Sequence, residues 1–149
     1  MDAGLTSGQT VVIINTYGGD YMNIHEYRDK VRACWLGKNI GGSLGTPFEC
    51  KRGVFDVDFY THDYSSGALP NDDLDLQLVW LNAAEKYGKN LDSEILGEYW
   101  LSYIVADVSE YGMGKNNMRM GLLPPLSGWY NNPFGNSCGC FIRSEIWAC

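Results

Sequence analysis

The sequence predicts a mainly α-helical protein, and three stretches carry that prediction. Apolar residues recur at helical spacing from Ile24 to Trp35 and again from Ile95 to Ile104. Between them, Leu74–Ala84 is apolar with only Asp75, Gln77 and Asn82 strongly polar. Strand signals are confined to a short VVII run and one alternation of Phe55, Val57 and Phe59 with Asp56, Asp58 and Tyr60. One isolated strand does not make a sheet, so Phe55–Tyr60 reads as an extended loop or small hairpin.

A chain of 149 residues with 45% hydrophobic and 13% aromatic content can bury one core. Its net charge of −7 and pI of about 4.6 exclude a sequence-independent nucleic-acid binder, which needs a basic footprint. The same charge is compatible with divalent cations. Five cysteines, an odd count in a chain of this size, do not make a secreted disulfide scaffold. Cys138-Gly139-Cys140 lacks the nearby His or second Cys pair of a zinc site. The start of the chain has no signal-peptide pattern, and no apolar run approaches the roughly 20 residues a membrane span needs. The expected location is cytoplasmic, with no membrane partner.

Taken in order, residues 1–22 form a weakly structured leader, and 23–149 form the domain. Asn23 can cap a helix starting at Ile24, whose polar face carries Glu26, Arg28, Asp29, Lys30 and Arg32. Gly37, Gly41, Gly42 and Gly45 follow; small residues there permit a close approach of backbone to ligand or of helix to helix. Pro47 should end any helix near Thr46. Thr61–Pro70 is polar and turn-rich. The Leu74–Ala84 helix is apolar nearly all round and is expected in the middle of the domain. Gly88 is its stop, and Asp92 or Ser93 caps the next helix, which ends by Gly112. Tyr111–Gly135, rich in Gly, Asn and Pro, reads as a long irregular and therefore functional loop. Ser137–Trp147 reads as a last helix that meets Cys149 without a cap, the pattern of a truncated chain.

The acidic pair Asp72-Asp73 opens the central helix. Consecutive residues in a helical turn point about 100° apart, so the two carboxylates can serve two ions, or one ion and one water. With the amide oxygen of Asn71 they are hard ligands, suited to Mg²⁺, Mn²⁺ or Ca²⁺. The alternative is plain capping, since carboxylates are favoured at helix N-termini. Glu49 is a candidate general acid/base or water-orienting group, against the alternative of an exposed loop carboxylate. Asn131, Asn132 and Asn136 could bind hydroxyls or phosphates, or simply form turns. Trp129 and Tyr130 could stack on a ring or pack a core. Arg143 reads most simply as an ion-pair residue, His25 as a surface helix residue and His62 as a loop residue.

The order of GGSLGTPFE, PNDDLDLQL and NSCGCFIRS after an amphipathic helix resembles the N-terminal part of the ADP-ribosylglycohydrolase family. The resemblance runs from about Ile24 to the end. It implies an all-α fold, an orthogonal helix bundle of which this chain is the N-terminal portion only. It also implies a site with two Mg²⁺ ions, Mn²⁺ being possible, held in part by Asn71, Asp72 and Asp73. Glu49 would be catalytic. A cleft for ADP-ribose would be lined by Asn136 and Ser137, with Asn131 and Asn132 nearby. Asn71 stands where the family has Thr, and one extra residue separates Asn136 from Arg143. The family's downstream acidic cluster has no counterpart in this sequence.

Three functions follow from these readings. The first is a Mg²⁺-dependent hydrolase of the ADP-ribosyl glycosidic bond, acting on an ADP-ribosylated substrate or ADP-ribose, this chain being an incomplete and inactive fragment. The second is a non-catalytic structural or ligand-binding module on the same fold. The third is a hydrolase of another carbohydrate or nucleotide, because fold does not fix substrate. The fragment reading expects a missing C-terminal half as partner, or self-association through an apolar last helix bearing Phe141, Ile142, Ile146 and Trp147.

Overall fold

The computed structural model describes residues 12–13 and 22–148. Helix dominates among them. The one pair of strands, β1 (Val12–Ile13) and β2 (Met22–Asn23), is antiparallel, with Val12 opposite Asn23. The rest of the expected leader lies outside the described residues.

Helix α1 spans Ile24–Gly45, starting where the cap predicts. The Asn23 side-chain oxygen accepts from the backbone N–H groups of His25 (3.0 Å) and Glu26 (2.9 Å). The glycine-rich stretch does not interrupt the helix. Gly42 instead lies against α2: a Cβ there would sit 2.0 Å from Nδ2 of Asn71. The helix ends at Gly45, and Thr46–Phe48 continues as a 3₁₀ turn with Pro47 in its first positions. Residues 49–70 form an extended, largely exposed connection with no strand. Tyr64 anchors it by donating its hydroxyl to the Ser43 carbonyl.

Helix α2 (Asp72–Tyr87) and helix α3 (Ser93–Tyr103) supply the core. Leu76, Trp80 and Ala83 face Tyr99, Trp100 and Ile104, with the Trp80 and Trp100 rings 5.7 Å apart. Truncating either tryptophan to Ala would cost about 3–5 kcal/mol. Contrary to expectation, α2 is not buried all round. Leu78 is 55% exposed, and Asp75, Asn82 and Glu85 share its outward positions. One face meets the core and α1 crosses near its start, which leaves the other face open.

The expected loop at Tyr111–Gly135 is largely helical. It contains α4 (Ser109–Arg119, beginning before the predicted loop) and the single-turn α5 (Leu126–Trp129). The sequence hid α4 because its buried residues are Gly112, Lys115 and Asn117, not an apolar stripe. Gly112 packs so closely on the α3–α4 connection that a Cβ would sit 2.2 Å from the Asp107 carbonyl oxygen. Lys115 donates to the Ile104 carbonyl (2.7 Å) and pairs with Asp107 (2.8 Å). Asn117 donates to the carbonyls of Ser127 (2.8 Å) and Tyr130 (2.7 Å), fixing α5.

The last segment is not an α-helix but two 3₁₀ turns, Cys138–Arg143 and Glu145–Trp147. Its backbone is drawn inward: the Ile142 carbonyl accepts from Lys38 of α1 and from Gln77 of α2. Ile142 and Ile146 pack on the core, while Phe141 and Trp147 remain exposed. Among the described residues no helix is long and apolar enough to cross a membrane.

Candidate functional site

The acidic pair lies at the N-terminus of α2. Asn71 is extended there, and its side-chain oxygen accepts from the Asp73 N–H at 3.0 Å. Asn71 is therefore a helix cap, and Gly42 fixes its amide from the other side. Asp72 is exposed and accepts at Oδ2 from the Tyr111 hydroxyl at 2.7 Å. Burial, and then this bond to Asp72, pushes the Tyr111 phenol well above its usual range. Asp73 is half-buried. Burial and the neighbouring Asp72 charge push its carboxyl up, with Lys38 opposing.

Behind the pair lies a polar cluster that sequence reasoning missed. Lys38 donates to both carboxylate oxygens of Glu145 at 2.9 Å. Gln77, one turn along from Asp73 and almost fully buried, donates to Glu145 Oε2 at 3.0 Å. Burial tends to raise the Glu145 carboxyl, but the Lys38 bond and charge, with the Gln77 bond, hold it below its usual range. The cluster joins α1, α2 and the last turn. It was invisible because its partners are more than a hundred and about seventy residues apart in sequence.

Arg143 is not an ion-pair residue. Its guanidinium stacks 4.5 Å from the Trp100 ring centre and 5.7 Å from that of Tyr111. Burial pulls it below the usual arginine range, and Nη1 has no hydrogen-bond partner. Arg143 also lines a cavity of about 410 Å³ between α3, α4 and the last turn, with Trp100, Glu110, Met118, Asn132 and Ser137 among its walls. A chain of contacts thus runs from the cavity through Arg143 and Tyr111 to Asp72.

The remaining expected site residues divide. Asn132 and Ser137 reach the cavity, whereas Asn131 and Asn136 are exposed and do not line it. Asn132 also performs the turn role: it donates to the Gly128 carbonyl (2.8 Å) and accepts from the Phe134 N–H (2.9 Å). Asn131 has a positive φ of 46°, a conformation Asn tolerates in turns. Glu49 is exposed just past the Thr46–Phe48 turn, and among the described residues no hydrogen bond engages its side chain. Trp129 and Tyr130 are exposed rather than packed in the core, and Trp129 borders a second, shallow depression with Leu122 and Pro124.

The donor set suits a hard cation. Two adjacent carboxylates, one exposed and one half-buried, stand together at the helix start. Among the described residues, however, no group of three or more His, Cys, Asp or Glu is placed to hold a metal.

A family model described as ADP-ribosylglycohydrolase matches residues 23–148. The chain belongs to the ADP-ribosylglycohydrolase family. The match begins at the Asn23 cap and takes in every helix among the described residues, so the cap, acidic pair, cavity and Arg143 turn all fall within the ADP-ribosylglycohydrolase region. Comparison with curated proteins and with solved structures gave no match. The all-α architecture agrees with the family expectation.

Proposed function

We propose that this ADP-ribosylglycohydrolase family member takes part in Mg²⁺-dependent hydrolysis of an ADP-ribosyl glycosidic bond, with Asp72 and Asp73 as its metal ligands. The observation that carries the reading is the adjacent pair of carboxylates in the first turn of α2, Asp72 exposed and Asp73 half-buried, inside the matched region. Asp72 keeps Oδ1 clear of the Tyr111 bond, and among the described residues none donates to the Asp73 carboxylate oxygens. Mg²⁺ commonly accepts one or two carboxylates and completes its shell with water and substrate oxygens, so the pair fits it as part of a ligand set. Bound there, the ion would anchor sugar hydroxyls and stabilise developing charge.

The chain's own residues have separate tasks. Asn71 holds the helix start in place. Tyr111 fixes the Asp72 carboxylate by its hydroxyl. Glu49, exposed and free of side-chain bonds, is the group available to take or give a proton at the scissile bond. Asn132 and Ser137 present polar atoms to the substrate cavity, whose tryptophan wall can face an aromatic or sugar ring. Asn131 and Asn136, exposed beside Asn132 and Ser137 in sequence, are available to ligand hydroxyls or phosphates.

With only two acidic ligands together, this chain binds Mg²⁺ weakly and turns over slowly or not at all. The test is calorimetric titration with Mg²⁺ and with ADP-ribose, beside turnover of an ADP-ribosylated peptide with and without EDTA. Mg²⁺ binding lost in Asp73→Asn supports the reading. Absence of both Mg²⁺ and ADP-ribose binding sinks it and leaves the non-catalytic module. That second reading has its own support: the Asn71 cap and the Tyr111–Asp72 bond already give the acidic segment a structural role. EDTA-sensitive turnover at an ordinary enzyme rate would overturn the expectation of slow turnover alone.

A further inference from the structure

The turn Cys138–Arg143 carries two thiols that the hydrolase site does not use. Cys138 and Cys140 are free and exposed, and they flank Gly139, which is buried against Glu110. A Cβ on Gly139 would sit 2.7 Å from Glu110 Oε1, so packing accounts for the glycine but not for the two cysteines beside it.

Successive residues of a 3₁₀ turn are about 120° apart with a rise of about 2 Å, which separates these two by about 4 Å along the axis. Their backbones are thus close enough for a disulfide, while their side chains leave the turn in different directions. Such a pair can be bridged only if the backbone moves. Gly139 is where it can move most freely.

The same turn holds the last segment to the rest of the molecule. Ile142 gives its carbonyl to Lys38 and Gln77, and Arg143 stacks on Trp100. Opening the turn at Gly139 therefore disturbs both attachments.

We propose that Cys138-Gly139-Cys140 is a redox-responsive dithiol, which a peroxide closes to a disulfide within the turn, releasing Arg143 from Trp100. Cys140 is the attacking sulfur, because it lines the cavity that Arg143 also lines, whereas Cys138 does not. Its thiolate attacks a peroxide oxygen; an S–O bond forms, the O–O bond breaks, and the leaving hydroxide takes a proton to become water. The Cys138 thiolate then attacks the sulfenic sulfur; an S–S bond forms, the S–O bond breaks, and a second water leaves. The dithiol loses two electrons and the peroxide gains them. A bridge that holds the turn open is strained, and strained exposed disulfides are the readily reduced ones. The proposal rests on this turn and stands whether or not the hydrolase reading does.

The test treats the full chain with stoichiometric hydrogen peroxide, blocks remaining thiols, and maps peptides by mass spectrometry. Expected is a Cys138–Cys140 bridge, seen as a loss of about 2 Da and reversed by dithiothreitol. Backbone hydrogen exchange in residues 138–148 should quicken with the same oxidant dependence. Cys138→Ser should instead leave a trappable sulfenic acid at Cys140, without faster exchange. Bridging to Cys34, Cys50 or Cys149, or over-oxidation without any bridge, would overturn the proposal. A bridge with unchanged exchange would overturn the coupling to Arg143. A sulfenic acid forming at Cys138 in Cys140→Ser faster than at Cys140 in Cys138→Ser would overturn the choice of attacking sulfur.

Discussion

Replacing Gly42 by Ala tests the contact that sets the acidic pair in place. In an exposed helix interior Gly→Ala gains about 0.5–1 kcal/mol from propensity. Gly41 is such a position, because a Cβ there meets nothing within 4 Å. Gly42 differs, since its Cβ would fall 2.0 Å from Asn71 Nδ2 and 3.2 Å from Asn71 Cγ. The Asn71 amide must turn away, and its cap bond to the Asp73 N–H is lost. Losing an N-cap costs about 0.5–2 kcal/mol. Gly42→Ala should therefore lie between a gain of about 0.5 and a loss of about 1.5 kcal/mol, and about 0.5–2 kcal/mol below Gly41→Ala. For a chain of this size that difference is roughly 2–4 °C in Tm per kcal/mol. Urea melts followed by circular dichroism, on both variants and on each combined with Asn71→Ala, form a double-mutant cycle. With the Asn71 amide gone, Gly42→Ala should recover most of the deficit. Equal stabilisation by Gly41→Ala and Gly42→Ala would refute the contact.

Three other variants address the parts around it. Glu145→Gln should cost about 1 kcal/mol, a figure kept low because the Glu145 side chain is 37% exposed and screened. Glu145 titrates lower in the folded chain than its usual value of 4.5, so its contribution is full above that pH and lost as the pH falls through the folded value. Acid titration of stability should accordingly be shallower in Glu145→Gln than in the parent. Tyr111→Phe keeps the ring beneath Arg143 but removes the bond to exposed Asp72, at about 1 kcal/mol. Because the Tyr111 phenol is raised by folding, its contribution is present below about pH 10 and is lost as the pH rises through the folded value. The alkaline limb of the melting curve should therefore flatten in this variant. Gly112→Ala drives a Cβ to 2.2 Å from the Asp107 carbonyl oxygen, a backbone atom that cannot swing aside. It should cost about 3 kcal/mol by overpacking, whereas Gly114→Ala, with nothing within 4 Å, should be neutral or better by thermal melting.

Local chemistry made much of the fold legible. The Asn23, Asn71 and Asp92 caps act where their side chains reach the next N–H groups, and Pro47 falls where α1 gives way to a 3₁₀ turn. These signals involve residues a turn or less apart, so the sequence determined them by itself. So did the helical periodicity that brings Trp80 and Trp100 to a common core, because those apolar stripes bury themselves wherever the helices meet. Helix α4 escaped because its interior is polar: Lys115 and Asn117 are buried only because carbonyls from other segments receive them. The last turn failed for the same reason in reverse, since Lys38 and Gln77 capture a carbonyl that a regular α-helix would use internally.

The site divides along the same line. Asp72 and Asp73 were visible as an adjacent pair, and their order with the glycine-rich stretch and the Arg143 segment marked the family. That Asp72 is held by Tyr111, that Asp73 loses water while Lys38 serves Glu145 behind it, and that Arg143 lies on tryptophan were decided by the tertiary structure alone. A charge's solvation and partner are properties of where distant segments meet, and no local pattern encodes them.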